Sequence, residues 1–467
     1  MTQLTISPVT RIEGHAQVRI ELDDAGEVAG AHFNVVELRG FEKFLLGAAV
    51  EEAPRITPRI CGICPTSHHL AAAAACDQIF GAAPPQTGKQ LRDLLLAGQF
   101  IHSHALHFFM LAAPDFLLGD APAAERNVLG LARHSPEIAK KAIEVRKLGQ
   151  RITEAVGGKP IHPSNAIPGG MSMPLSEERR QTLLTSAQDG LAIAREGWET
   201  ARSLMDGLDT SFGAVETSFM GMAQNGVHAL SGGEVKILGP DGRETASFTG
   251  AGYLNHIEEY SQDWSYLKFC RLAGGNAYRV GPLARLNIAE SMGTPEADAA
   301  LAEYRGAFGR VVQAPLAYNI ARYIEFLSAC ERAVALLEDP GITGADIRTP
   351  VEGVAANRGV GIIEAPRGTL IHDYTVDGDG MIEKCNLIVA TCQNNYAMDR
   401  GVEDVARKVI KGGELTEEGS NKIEMVIRAY DPCISCATHA IGRMPMRIEV
   451  VRRTGNGCEV LDVTEVN

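Results

Sequence analysis

Two stretches decide how this chain is read: Arg59-Ile60-Cys61-Gly62-Ile63-Cys64-Pro65-Thr66-Ser67-His68 and Asp431-Pro432-Cys433-Ile434-Ser435-Cys436-Ala437-Thr438-His439. Each carries a Cys-x-x-Cys, a spacing that puts two sulfurs within reach of one metal ion. Together the two pairs supply four thiolates. They stand near opposite ends of the chain, so only tertiary folding unites them. A compact zinc ribbon keeps its pairs about 15–20 residues apart, and a redox dithiol needs only one pair. On cysteine content alone, two unrelated buried pairs are an equal alternative. The flanks argue for a shared site. His68 lies four residues after Cys64 and His439 three after Cys436, in a chain with 13 His.

Outward from these motifs, the 467 residues are 45% hydrophobic and 22% charged, a globular composition with ample core. The net charge of −14 argues against a nucleic-acid partner or an anionic membrane surface. The N-terminus lacks a basic, apolar leader and no twin-arginine signal is visible. No stretch approaches 18 apolar residues, so no transmembrane segment is expected. Ten Cys are too few for a disulfide scaffold. The default is a cytoplasmic protein with reduced thiols. Ala16 to Leu22 alternates as a strand and a partner runs from about Glu27 to Val36, with a turn between them. Helices are expected after Pro65 and at 87–112, 136–157, 176–206, 296–337 and 400–411, with hairpins at 234–249 and around Gly378 to Gly380. The class is α+β, predominantly helical, without separable domains.

The flanks of the cysteines resemble the two signatures of the nickel–iron hydrogenase large subunit. Arg11-Ile12-Glu13-Gly14-His15, Arg39-Gly40-Phe41-Glu42, His107 to Asp115 and Ala365-Pro366-Arg367-Gly368 match the same family in the same order. The match runs from residue 8 to 439. Ile101 to His107 and Gly275 to Pro282 are most similar to the cytoplasmic, cofactor-coupled branch, of the bidirectional NAD-linked or methyl-viologen/heterodisulfide-linked type. The chain departs from the pattern at Cys270, where Pro is common, and at Cys392, where Thr is common; neither belongs to the metal motifs. The resemblance implies a central long-helix bundle with small peripheral β-sheets. It implies one domain over 1–439 and a C-terminal extension, 440–467, removed by an endopeptidase on maturation. That extension reads as a small hairpin with four Arg and four acidic residues.

By resemblance the function is reversible heterolytic cleavage of dihydrogen at a Ni–Fe centre whose iron carries carbon monoxide and cyanide. Cys61 and Cys433 are implied as terminal nickel ligands, Cys64 and Cys436 as bridges between nickel and iron. Soft thiolates suit nickel. Glu13 is implied as the first proton carrier near the Cys433 sulfur, since a carboxyl in an apolar pocket has a raised pKa; taken alone it reads as a strand-end Glu paired with Arg11. Arg367 is implied over the open metal face, with Pro366 and Asp115 beside it and Asp431 orienting it; taken alone, Pro-Arg-Gly is a common surface turn. Thr391 would hydrogen-bond a cyanide, and Ile63 would close a gas channel. Glu42, His439 and the Leu387 carbonyl would hold a second cation, magnesium, with iron or zinc as alternatives because imidazole is unusual for magnesium. His68 and His15 would hold ligands in place. The other six cysteines show no cluster pattern, so electrons must leave through an iron–sulfur small subunit, then a NAD, ferredoxin or heterodisulfide module. Two competing readings are a homologue of the complex I quinone-module subunit, which lacks the four cysteines, and a zinc-stabilised scaffold.

Overall fold

The computed structural model describes residues 2–119, 121–262, 264–438, 446–454 and 457–466, the last two segments by their backbone alone. The alternating run Ala16–Leu22 buries Ala16, Val18, Ile20 and Leu22 and turns Arg19 and Glu21 outward. That is the pattern of a strand with one face on the core. It forms the middle of an antiparallel sheet, β1 (Thr2–Ile6), β2 (Ala16–Leu22) and β3 (Val28–Val35).

The helical frame begins with α1 (Pro65–Ile79), which carries Pro at its first position, where a missing N–H breaks no bond. It continues with α2 (Gln86–Ala105), α3 (Pro136–Gly157), α4 (Glu177–Ser203), α5 (Pro282–Ile288), α6 (Ala317–Glu338), α7 (Ala390–Val409) and α8 (Glu417–Tyr430). Helices α2, α3, α4 and α6 pack on one another as the long-helix bundle. The expected helix at 296–337 is broken: Pro295–Phe308 ends at Gly309, whose φ of 80° stops it, before α6 begins. Helix α2 runs on through a π-helical stretch, Leu106–Ala112, into Ala113–Leu117. This Gln86–Leu117 run is long and apolar enough, by length and composition, to cross a membrane, which the reading of the sequence missed. Its apolar window is 83% buried within the protein, so here it serves as a core helix.

The sheets are small and separate. Strands β4 (Ser218–Gln224), β5 (Glu234–Leu238) and β6 (Glu244–Phe248) contain the expected 234–249 hairpin. Strands β7 (Ile257–Ser261) and β8 (Lys268–Leu272) form a second pair. Strands β9 (Arg358–Ala365), β10 (Gly368–Val376) and β11 (Ile382–Ile388) make an antiparallel meander that places the site. Helix α1 lies flush on β9 because Gly359 and Gly361 have no side chain. A Cβ at these positions would come within 2.1 Å of the Ala75 oxygen and 1.9 Å of the Ala71 oxygen. The tail strands β12 (Met446–Thr454) and β13 (Gly457–Val466) pair as a two-stranded sheet of their own, as the sequence suggests.

Candidate metal centre

The first cysteine pair sits where a short 3₁₀ turn, Thr57–Ile60, gives way to α1. Cys61 ends the turn and Cys64 is the N-cap of α1. The second pair follows α8. Asp431 closes that helix in the left-handed region (φ 56°), which redirects the chain through Pro432. Cys433 is the N-cap of a single helical turn, Ile434–Ala437, and Cys436 lies within it. The N-terminal loop holds this turn in place. The Ile434 N–H donates to the Glu13 carbonyl at 3.1 Å. Gly14, at φ 86°, lets the chains touch, since a Cβ there would lie 2.5 Å from Ile434 Cβ. The Cys433 N–H donates to the Thr391 hydroxyl at 2.8 Å.

All four sulfurs converge. Cys61 and Cys433 are 3.3 Å apart, Cys64 and Cys436 3.1 Å, and Cys433 and Cys436 2.9 Å. All four lie within 4.8 Å of one another and are buried. Hydrogen bonding with Cys433 pulls the Cys61 thiol well below its usual range, while burial pushes Cys433 and Cys436 well above theirs. Four packed sulfurs cannot all ionise without a cation to compensate them, and metal binding supplies one. Beside them is a small cavity of about 20 Å³, lined by Cys64, His68, Arg367, Thr391, Cys433 and Cys436 among others.

Arg367 lies at this cavity as expected. Its Nε donates to the Asp431 carbonyl at 2.7 Å and one Nη to the Asp431 carboxylate at 3.0 Å. Its other Nη is buried without a protein partner among the described residues. Burial opposes its charge, but Asp431 and the cysteine sulfurs outweigh that and keep it cationic. An unpaired guanidinium N–H in a buried, sulfur-lined cavity suits an anionic, nitrogen-ended ligand, so the residues fit a metal group bearing cyanide. Pro366 stands next to it, and its carbonyl accepts from Arg285 at 3.1 Å.

Among the described residues, Asp115 hydrogen-bonds to arginines other than Arg367. Its carboxylate is bound by Arg428 in a two-bond fork, at 2.9 and 3.1 Å, and by Arg11. Arg11 is thereby committed to Asp115 rather than to Glu13. Glu13 is half-buried, and its surroundings are polar rather than apolar. Its carboxylate accepts from the backbone N–H of Ser435 at 3.0 Å and from the Ser435 hydroxyl. Ser435, between the two cysteines, was not singled out from the sequence. His15 points away from the metal site. It is exposed in the loop before β2 and pairs with Glu37 at 2.6 Å. His68 is where a ligand-holding residue should be, with Nε2 3.3 Å from Cys436 Sγ. Ile63 donates its N–H to Cys61 Sγ at 3.3 Å and lines a second cavity with Gln99, His102 and Ile161, a mixed rather than apolar lining.

At the expected second-cation site, Glu42 accepts from the Leu387 N–H at 2.7 Å, so those two residues meet. Lys268 joins them, with Nζ 3.0 Å from Glu42 and 3.1 Å from Glu259. Two carboxylates around one ammonium leave net negative charge there. His439 lies outside the described residues.

Comparison with known proteins agrees with this geometry. Residues 39–129 and 225–439 match the family of nickel-dependent hydrogenases, and residues 3–38 match a family described as HoxL-like. The chain is 44% identical to a subunit of the vhc F420-non-reducing hydrogenase of Methanococcus voltae, over 96% of this chain and 98% of that protein. It is 40% identical to the beta subunit of the NAD-reducing hydrogenase HoxS of Cupriavidus necator, over 97% and 98%. It superposes on a crystal structure of an NAD+-reducing [NiFe]-hydrogenase in the H2-reduced state with a TM-score of 0.90. That alignment has 40% identity and covers 94% of this chain and 100% of the other. The fold alone is shared with the [NiFeSe]-hydrogenase of Dm. baculatum, at a TM-score of 0.76 and 22% identity over 94% and 100% of the chains. With all four cysteines in place, neither the complex I-like nor the zinc-scaffold reading is favoured, and the chain belongs to the nickel-dependent hydrogenase family, as a catalytic subunit that acts on dihydrogen.

Proposed function

We propose that Cys61 and Cys433 hold nickel terminally, that Cys64 and Cys436 bridge it to an iron carrying carbon monoxide and cyanide, and that Glu13 is the proton exit. The observation carrying this is the convergence of four buried sulfurs from the two ends of the chain beside a fixed, partly unpaired Arg367. Such a centre supplies heterolytic cleavage of dihydrogen. The chain's own groups then have distinct tasks. Asp431 fixes the plane of the Arg367 guanidinium, and Thr391 anchors the Cys433 backbone. Ser435 holds the Glu13 carboxylate against the second cysteine loop with two donors, so a proton leaving the Cys433 side meets an oriented acceptor. Asp115 acts at a distance, by fastening α8 and the N-terminal loop through Arg428 and Arg11. Ile63 borders the access route for gas. Glu42, the Leu387 carbonyl and His439 hold magnesium, with iron or zinc as alternatives.

The electrons leave through an iron–sulfur small subunit. Among the described residues, Cys76, Cys270, Cys330, Cys385 and Cys392 join no group of three or more metal-ligating side chains, so they build no cluster site of their own. The docking face is the segment bearing exposed Val36, Leu38, Phe44 and Leu46. In its middle, the Arg39 N–H donates to the Thr438 carbonyl and its guanidinium to the Ile60 carbonyl, so the segment backs both cysteine stretches. Beyond the small subunit we place a NAD, ferredoxin or heterodisulfide module, in keeping with the NAD-reducing and F420-non-reducing relatives, and a cytoplasmic setting. We place the end of the mature chain at His439. Among the described residues the tail strands pair only with each other, and a continuing backbone would keep His439 from closing the site as a terminus.

The test is metal analysis with infrared spectroscopy of the purified complex. Nickel and iron together with carbon monoxide and cyanide bands are expected, and Cys64→Ala or Cys433→Ala should lose nickel and dihydrogen oxidation. Zinc alone, or a nickel-loaded, active Cys433→Ala variant, would refute the proposal.

A further inference from the structure

Behind Cys436 lies a line of hydrogen bonds that the residues' assigned roles do not use. His68 Nε2 is 3.3 Å from Cys436 Sγ, and His68 Nδ1 is 3.0 Å from His372 Nε2. His372 Nδ1 is in turn 2.7 Å from the Tyr374 hydroxyl. His68, His372 and Tyr374 are all buried. The strand period and two glycines build this line. His372 and Tyr374 are two residues apart on β10 and so share the face toward α1. Opposite His372 in register is Gly361, one of the two glycines that let α1 settle onto the sheet and bring His68 within reach.

With both imidazoles neutral, each donates from one nitrogen and accepts at the other, so the line runs in one direction or the reverse. In the first direction Tyr374 O–H donates to His372 Nδ1, His372 Nε2–H donates to His68 Nδ1, and His68 Nε2–H donates to the Cys436 sulfur. Every proton is then paired. In the reverse direction His372 Nδ1–H donates to the tyrosine oxygen. The buried hydroxyl proton of Tyr374 is then stranded, because that hydroxyl has no other partner among the described residues. A stranded buried donor is the costlier arrangement. The line is also no proton exit. Passing a proton to the sulfur would end with a buried tyrosinate, and burial holds Tyr374 well above the usual phenol range.

We infer that Tyr374 is a positioning residue: as an obligatory terminal donor it fixes the tautomers of His372 and His68, so that a hydrogen bond is always aimed at the Cys436 sulfur and draws electron density from it. This rests on the Ni–Fe reading of Cys436. Hydrogen bonds to metal-bound sulfur set redox potential and ligand electronics. Removing the donor should make the sulfur, and the iron it bridges, more electron-rich.

The experiment compares infrared spectra and midpoint potentials of the wild-type complex with those of Tyr374→Phe, His372→Gln and the double variant, at equal nickel content. Bands in the wild type establish the centre independently of this inference. Tyr374→Phe should move the carbon monoxide and cyanide bands to lower wavenumber and lower the potential. His372→Gln should leave them in place, because an amide N–H still donates to His68 without help from residue 374. The double variant should match His372→Gln. Unmoved bands in Tyr374→Phe, or a displacement in His372→Gln as large as in Tyr374→Phe, overturns the inference. Should Tyr374→Phe not load nickel, His372→Leu replaces it: displaced bands there against unmoved bands in His372→Gln support the inference, and equal spectra or equal failure to load in the two His372 variants overturn it.

Discussion

Arg285 sits at the centre of a fully buried ion-pair network whose loss should be costly. Its guanidinium is buried and binds Glu325 through two bonds, at 2.5 and 2.6 Å, and Glu364 at 2.7 Å. The remaining protons go to the carbonyls of Ala365, at 2.9 Å, and Pro366, at 3.1 Å. His104 and His228 complete the shell, each 3.0 Å from a Glu325 oxygen. Burial alone would raise the Glu325 pKa; Arg285 outweighs it and holds the carboxyl well below the ordinary range. Arg285→Met keeps length but strands two buried carboxylates. Breaking a buried ion pair costs about 3–5 kcal/mol. Unfolding entropy near 2.1 cal/mol/K per residue amounts to about 1.0 kcal/mol/K for a chain of this size, so melting should fall by about 3–5 °C. Arg285→Met/Glu325→Leu should lose less than the two single changes added together, because the partners share one interaction. Because Arg285 also holds the Pro366 carbonyl, Arg367 should lose its fixed position, and activity should fall more than stability alone explains. The assay is differential scanning calorimetry of the nickel-loaded complex beside dihydrogen oxidation at about 25 °C, the reference temperature of these magnitudes. A melting shift under about 1 °C, well below the range worked above, or strictly additive effects, would refute the reasoning.

Three further outcomes follow from the geometry. Glu13→Gln keeps the shape but removes the titrating group, so turnover and hydrogen–deuterium exchange should drop by about 10²-fold at unchanged metal content; normal turnover would move the proton exit elsewhere. Burial holds His69, His102, His104 and His228 at a pKa of about 4. Unfolded imidazoles titrate near about 6.5, so the unfolded chain takes up protons first as pH falls. Stability should therefore be full above about pH 6.5 and decline toward about pH 4, by at most about 3 kcal/mol for each independent group; a flat melting profile from about pH 7.5 to about pH 5 would contradict this. Intact mass spectrometry of active, nickel-loaded enzyme should find the chain ending at His439, and full activity with residues 440–467 retained would defeat the processing proposal.

Local patterns in the sequence carried the parts of this protein that local physics determines. The alternation at Ala16–Leu22, the Pro65 helix start and the 234–249 hairpin all form as their patterns demand. The cysteine quartet was legible for a different reason: two identical spacings with matching flanks imply a common target even when nothing local joins them. The failures occur where partners are chosen by tertiary contact. Asp115 faces two arginines from distant segments, and nothing in its neighbourhood favours Arg367 over Arg428. His15 belongs to a recognisable motif, yet lies two residues beyond Glu13 on the outer side of the loop, so sharing a motif did not mean sharing a site. The hairpin expected around Gly378 to Gly380 forms as β10 and β11, whereas β9 and the full length of β10 are not foreseen, because a strand buried on both faces lacks the alternation that marks a half-exposed one. That absence is also why His372 and Tyr374 drew no notice: within a continuously buried strand, their common face becomes visible only when α1 is laid against it. In this fold the groups touching metal announce themselves by type and spacing, whereas those that orient them are set by how closely a helix can approach a sheet, and here that distance depends on Gly359 and Gly361.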